Sequence, residues 1–430
     1  MNILKDLNEL ERANVISVEM AQQISDYYQK KRSATPTGNR QLLIFGILGA
    51  LLVGIGLMFI IANQWEQLPI AVKTTCAFLV LIVPQLLCVF VLIKQEGKVV
   101  WLESTALLLF FAVGANISLV SQIYHINGEA SSFLLTWILL TAPLIYILNS
   151  SAVSLAYFIG IMSYSFAVKV NVSAPWNEYI YWILFVLPLP RYLQLFKKSP
   201  NNPLLILHHW AIPYILTTTI ANLIHHYGEL MPLVFFAMFG IFYLIGNRIA
   251  VGNGSLIRNG YRVFGFAGTI VTLLVMSFRV TWKKLFTNHY ELNTLFGSPE
   301  FIAIVVLLTL AAILLYRETL SRTLADLKIM EVTWLLFLPI FMLGLYTSLS
   351  VILVNLYVFV AAVLMIREGT KQNHLGVLNS GLLIITLLTV CRSFDSDLTF
   401  VVKGTLFVLV GIGFFVTNWL MLKKRKEHEA

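Results

Sequence analysis

The chain has 430 residues, of which 58% are hydrophobic and only 12% charged, with a mean hydropathy of +0.81. Soluble domains average roughly 45–50% apolar and about 25% charged residues, so a soluble enzyme is excluded and an all-α polytopic membrane protein is expected. The net charge of +9 does not imply nucleic acid, because the Lys and Arg residues fall in short connections between apolar runs, where they set orientation.

Residues 1–40 are mostly polar. Ile3, Leu4, Leu7 and Leu10, then Val18, Ala21, Ile24 and Tyr28, recur at helical spacing. Asn14 suits a left-handed C-cap and Ser17 the following N-cap. A cytosolic pair of amphipathic helices is therefore expected, followed by the linker KKRSATPTGNR.

A spanning helix needs about 20 apolar residues. Applied to the region 41–421, that requirement gives spans near 41–61, 71–93, 103–123, 131–148, 151–168, 179–196, 205–224, 230–246, 260–279, 300–316, 331–348, 350–366, 376–392 and 401–421. About fourteen spans are thus expected, with a basic tail at 422–430. If both termini are cytosolic, 23 of the 30 Lys and Arg residues fall inside and 7 outside, the asymmetry that cytoplasmic loops carry. A multipass protein of the cytoplasmic membrane follows, with the lipid bilayer as its partner. The sequence leaves the oligomeric state open.

Gly46, Ala50 and Gly54 form a small-residue face on the first span that suits close helix packing. Cys76, Cys88 and Cys391 lie within or at the ends of apolar runs without a CxxC pattern. They read as small apolar residues, so neither a disulfide framework nor a zinc site is expected.

The stretch 114–129, GANISLVSQIYHINGE, departs from plain hydrocarbon. Asn116 lies within the third span, while Gln122, His125 and Glu129 come at or just beyond its outer end. Polar groups at membrane depth usually face the bundle interior or a water-filled cavity, although an interhelical hydrogen bond accounts for Asn116 equally well. A second constellation is the outer loop holding Arg392, Asp395, Asp397 and Lys403. Its charges suit an ion-pair network, a cation, a polar headgroup or a turn capped by Asp.

His208 and His209 stand at one end of the seventh span and His225 and His226 at the other, about 25 Å apart at 1.5 Å per residue. They cannot share one metal, and no metal or cofactor is expected. On the inner side, Glu103 opens the third span, Arg367 and Glu368 follow the twelfth, and 317–331 reads as a polar, solvated connection. The patterns GxxxxGK[ST], HExxH and GxSxG do not occur, nor does GxGxxG after a strand, so nucleotide hydrolysis and zincin or serine hydrolysis have no motif.

The helix pair around ELERANVIS and AQQI, the first span ending IIANQWEQLP, and GANISLVSQIYHINGE resemble a family of predicted bacterial membrane proteins, domain of unknown function 2157. The ending from IREG through RSFDSDLTFVVKGTLFVLVGIGFFVTNWLMLKKR is similar to the C-terminal part of that group. The resemblance implies a multipass bacterial membrane protein and carries no activity. Three functions fit. The first is a transporter or flippase-like carrier of a small polar or lipid-linked solute. The second is a membrane enzyme using His125, Glu129, Asp395 and Asp397 on a lipid-linked substrate at the outer face. The third is a non-catalytic scaffold or sensor.

Overall fold

The computed structural model describes residues 17–34, 45–46, 48–49, 52–53, 68–95, 97–170, 176–200, 202–223, 227–249, 258–287, 296–320, 327–372, 374–395 and 399–429. Every regular element among them is helical. The expected helix before residue 17, and the first span with its small-residue face apart from short pieces, lie outside the described residues. The second N-terminal helix, α1 (Val18–Ala34), begins at Ser17, whose Oγ accepts the Met20 N–H at 3.3 Å. That is the N-cap its sequence position suggested.

Two compact units divide the chain. The first comprises residues 1–167 and 181–198. It contains α2 (Ile70–Lys94), α3 (Val99–Ile123), α4 (Ala130–Ile147), most of α5 (Ser151–Val170), the second half of α6 (Trp176–Val186) and α7 (Leu189–Lys198). Polar bonds at both ends of the helices set α3 antiparallel to α2 and parallel to α5. At one end the Thr74 and Tyr124 hydroxyls meet at 3.2 Å, joining the start of α2 to the end of α3. At the other, Glu103 near the start of α3 accepts the Ser151 and Ala152 N–H groups that open α5.

The expected span 179–196 is instead two helices. Pro188 and Pro190 stand at the break; proline lacks the N–H that would continue the ladder, and its ring collides with the preceding turn. α7 beyond the break is a short amphipathic helix.

The second unit, residues 168–180 and 199–430, holds α8 (Pro203–Ile220), α9 (Met231–Ile249), α10 (Gly260–Met276), α11 (Arg279–Thr287), α12 (Pro299–Thr319), α13 (Ile329–Gly344), α14 (Leu349–Lys371), α15 (Leu375–Asp395) and α16 (Phe400–Glu429). Starts are set by local chemistry. Asn202 caps α8, whose first residue is Pro203, and Ser298 caps α12, whose first residue is Pro299. Proline fits this position because its missing N–H would have no helical partner.

α9 is the hub of this unit, packing on α10, α12 and α13. Lipid offers no hydrophobic drive for helices to associate, so close contact relies on small residues. A Cβ on Gly246 would lie 2.5 Å from the Arg262 nitrogen, and one on Gly265 would lie 2.4 Å from the Tyr243 nitrogen. Glycine at both positions lets the α9 and α10 backbones touch.

Among the described residues eight helical segments are long and apolar enough to cross a membrane: α2, α3, α4, α5, α12, α14, α15, and α9 with the turn before it. α10, α13 and Phe400–Val416 within α16 are apolar but shorter. The helix boundaries at 130–147 and 151–170 resolve the tightly linked pair of expected spans, with Asn149 and Ser150 forming the turn. Likewise 329–344 and 349–371 resolve the other tight pair.

Candidate functional site

Several residues of 114–129 are tied to local structure. Gly114 seats the Trp137 ring, which a Cβ there would approach to 2.6 Å. The same indole donates its Nε1 hydrogen to the Phe110 carbonyl at 2.8 Å. Asn116 donates to the Ala77 carbonyl of α2 at 2.7 Å, the interhelical bond that its position in an apolar run allows. Gln122, His125 and Glu129 are exposed.

His125 has φ of 51°, and the Ile126 N–H donates to the Ser121 carbonyl at 2.9 Å. It therefore occupies the left-handed position of a Schellman turn closing α3. Glu129 sits at the N-cap position of α4 and accepts the Ser131 hydroxyl at 3.2 Å.

The second constellation gathers at the turn between α10 and α11. Arg392 and Asp395 form an ion pair at 2.8 Å. The Arg392 guanidinium also donates to Ser277 Oγ at 3.4 Å and lies 5.3 Å from the Phe278 ring centroid. Asp395 accepts the Arg279 N–H at 3.3 Å, placing a carboxylate at the positive N-terminus of α11. Asn355 on α14 donates to the Ser277 carbonyl at 3.1 Å. Trp282 packs beneath, almost fully buried, with its Nε1 hydrogen on Met276 O at 2.7 Å. Lys403 lies 5.8 Å from the Phe400 ring centroid; Asp397 lies outside the described residues. His125 and Glu129 belong to the first unit and Arg392, Asp395 and Lys403 to the second.

The opposite helix ends hold groups that sequence reasoning read as solvated. Glu103 is 3% exposed. Besides the two N–H groups of α5, at 3.0 and 2.8 Å, it accepts the Ser150 hydroxyl. Arg191 on α7 reaches the same turn, donating to Ser151 Oγ at 3.2 Å and to Asn149 Oδ1 at 3.5 Å. Burial lowers the Arg191 pKa, and the Glu103 charge opposes that shift. Asn149, with φ of 47°, takes the left-handed position that Asn tolerates.

In the second unit the corrections are Glu318 and Glu331, 5% and 0% exposed, where a solvated connection was expected. Arg248 of α9 pairs with Glu318 of α12 through its Nε. Asn247, the preceding residue, donates to Glu331 of α13 at 2.7 Å, and the Lys328 N–H donates to the other oxygen of that carboxylate at 3.0 Å. Asn259 caps α10 by accepting Arg262 N–H at 3.1 Å and donates to the Gly246 carbonyl at 2.6 Å. Arg262, Glu331 and Glu368 stand within electrostatic range of the buried Tyr243 hydroxyl.

Three helices thus meet α9 through ionic or amide bonds at one end of the unit. Local signals for this cluster were weak. The spacing of Lys328 and Glu331 resembles that of a capping box, but the partners of Glu318 and Glu331 across helices lie 70 and 84 residues away, and in the first unit those of Glu103 lie 47–49 residues away.

His208 is fully buried, with Nδ1 2.7 Å from the Leu204 carbonyl. His209 lies 3.4 Å from the Arg258 carbonyl and edge-on to Tyr261. His225 and His226 lie outside the described residues.

Apolar helices of spanning length, interhelical bonds from Asn side chains and charges confined to helix ends define a multipass helical membrane protein. Residues 8–154 match the family model described as a predicted membrane protein of domain of unknown function 2157. The match covers the N-terminal part of the expected resemblance, including 114–129; the similar C-terminal stretch lies beyond it. No curated protein and no solved structure matches the chain.

Proposed function

We propose that the protein is a carrier of the cytoplasmic membrane for a small polar or lipid-linked solute, with about fourteen crossings, one of them the broken segment at 179–196, and both termini in the cytosol. The observation that supports this reading is the α9 cluster. Buried ionisable groups among spanning helices are functional candidates by default, and Glu318 and Glu331, at the ends of their helices, are 5% and 0% exposed. Here Arg248–Glu318 and Asn247–Glu331 tie three helices together at the end that the positive-inside bias assigns to the cytosol. Glu318 is buried while Arg248 is exposed, so water screens the pair, and replacing either residue weakens the tie between α9 and α12. The ties therefore hold that end closed until another interaction replaces them, which is the behaviour of a gate.

At the other helix ends, exposed Gln122, His125 and Glu129, with Arg392, Asp395, Asp397 and Lys403, face the extracytoplasmic side in this reading, and Asn116 lies deeper. An outer-face enzyme is less well supported, because the Asp395 carboxylate is already occupied by Arg392 and the Arg279 N–H.

The test is a comparison of lipids and solute uptake in a deletion strain complemented with wild type or with Arg248→Gln/Glu318→Gln. The expected result is a solute or lipid-linked pool that changes on deletion, returns with wild type and does not return with the variant. Identical pools and uptake in all strains would refute carriage.

A further inference from the structure

We propose that α7 is an interfacial site for anionic phospholipid headgroups. The helix is 10 residues long, or about 15 Å, half of the roughly 30 Å hydrocarbon thickness, so it cannot span. At 100° per residue, Leu189, Tyr192, Leu193, Leu195 and Phe196 share one side, while Arg191, Gln194, Lys197 and Lys198 share the other.

The apolar side is itself divided. Tyr192 and Leu195 are buried within the first unit, whereas Leu193 and Phe196 are 52% and 38% exposed. Lys197 adjoins the exposed pair at Leu193 and Lys198 lies farther round the polar side; both are exposed. Leu193 and Phe196 need an apolar medium, and the lysines beside them need water and anions; only the headgroup boundary of a bilayer meets both demands. Arg191 is turned away toward Asn149 and Ser151 and takes no part.

Two further cations stand at the same end of the unit. Lys94 ends α2 and Lys98 precedes α3; α3 also carries Glu103, which caps the α5 turn that Arg191 touches. Charge complementarity thus selects a negatively charged headgroup over a zwitterionic one. The proline break is what makes the site: a continuous span would have carried these lysines on a helix crossing the boundary, whereas the break lays them along it.

The test is native mass spectrometry of the full-length protein, purified in mild detergent and offered equal phosphatidylglycerol and phosphatidylcholine. Wild type should retain phosphatidylglycerol preferentially. Each lysine near an anionic surface contributes about five-fold to partitioning, so Lys197→Gln/Lys198→Gln should lower the retained ratio roughly 25-fold. Leu193→Ser/Phe196→Ser should lower retention of both lipids, and Lys423→Gln/Lys424→Gln in the tail should leave the ratio unchanged. An unchanged ratio in Lys197→Gln/Lys198→Gln overturns the site, as does an equal fall when only the tail lysines are replaced. Both lysines are exposed, so thermal unfolding of that variant should match wild type.

Discussion

Replacing Glu103 probes how a carboxylate expected at the opening of a span holds the first unit together. In Glu103→Ala the Ser151 and Ala152 N–H groups, at 3.0 and 2.8 Å from the carboxylate, lose their acceptor at a site only 3% exposed. Each stranded donor costs about 1–3 kcal/mol, so about 2–6 kcal/mol of stability should disappear. Glu103→Gln keeps one carbonyl acceptor but loses the charge and the second acceptor, and about 1–2 kcal/mol is expected on the same grounds. Reversible SDS-induced unfolding in mixed micelles, followed by near-UV circular dichroism, gives these differences directly. A Glu103→Ala protein within about 0.5 kcal/mol of wild type, the range of an ordinary surface change, would refute the capping role.

Three further outcomes follow from the packing. Gly114→Ala should cost about 1–3 kcal/mol through collision with Trp137 and much less in a Trp137→Leu background; equal costs in a double-mutant cycle would show that the ring is not seated there. His125→Gly should stabilise the protein by about 1 kcal/mol, because the left-handed backbone favours glycine, and a loss of stability would mean that the imidazole makes a contact beyond the turn. Gly246→Ala should cost about 1–3 kcal/mol by forcing α9 from α10, and an unchanged unfolding transition would contradict their backbone contact.

The helix plan was legible because hydropathy alone decides whether a segment can lie in lipid. Spans expected at 71–93, 103–123 and 376–392 fall within helices at 70–94, 99–123 and 375–395. Pro188 and Pro190 were a local signal outweighed by the apolar run around them. Asn116 was recognisable as a polar group needing a partner, but which carbonyl it would take depended on helix packing.

Burial of the acids was not legible for a different reason. Glu103, Glu318 and Glu331 lie within a few residues of apolar runs, where a solvated end and a buried cap look alike along the chain. What distinguishes them is another helix: the start of α5 for Glu103, and Arg248 or Asn247 of α9 for the others. An ion pair of Arg392 and Asp395 was one of the readings open for what looked like an outer loop, whereas both partners lie in the last turn of α15. Its third member, the Arg279 N–H, comes from 116 residues away.

The claim that Arg248 and Glu318 close one end of the second unit is tested most directly by thiol accessibility. Leu244, one turn before Arg248 on α9, is fully buried, and Leu244→Cys in a background with Cys76, Cys88 and Cys391 replaced by Ala reports on opening there. Protection from a polar maleimide is predicted with the native pair, rapid labelling in Arg248→Gln or Glu318→Gln, and renewed protection in Arg248→Glu/Glu318→Arg. Equal labelling across these proteins would contradict the account.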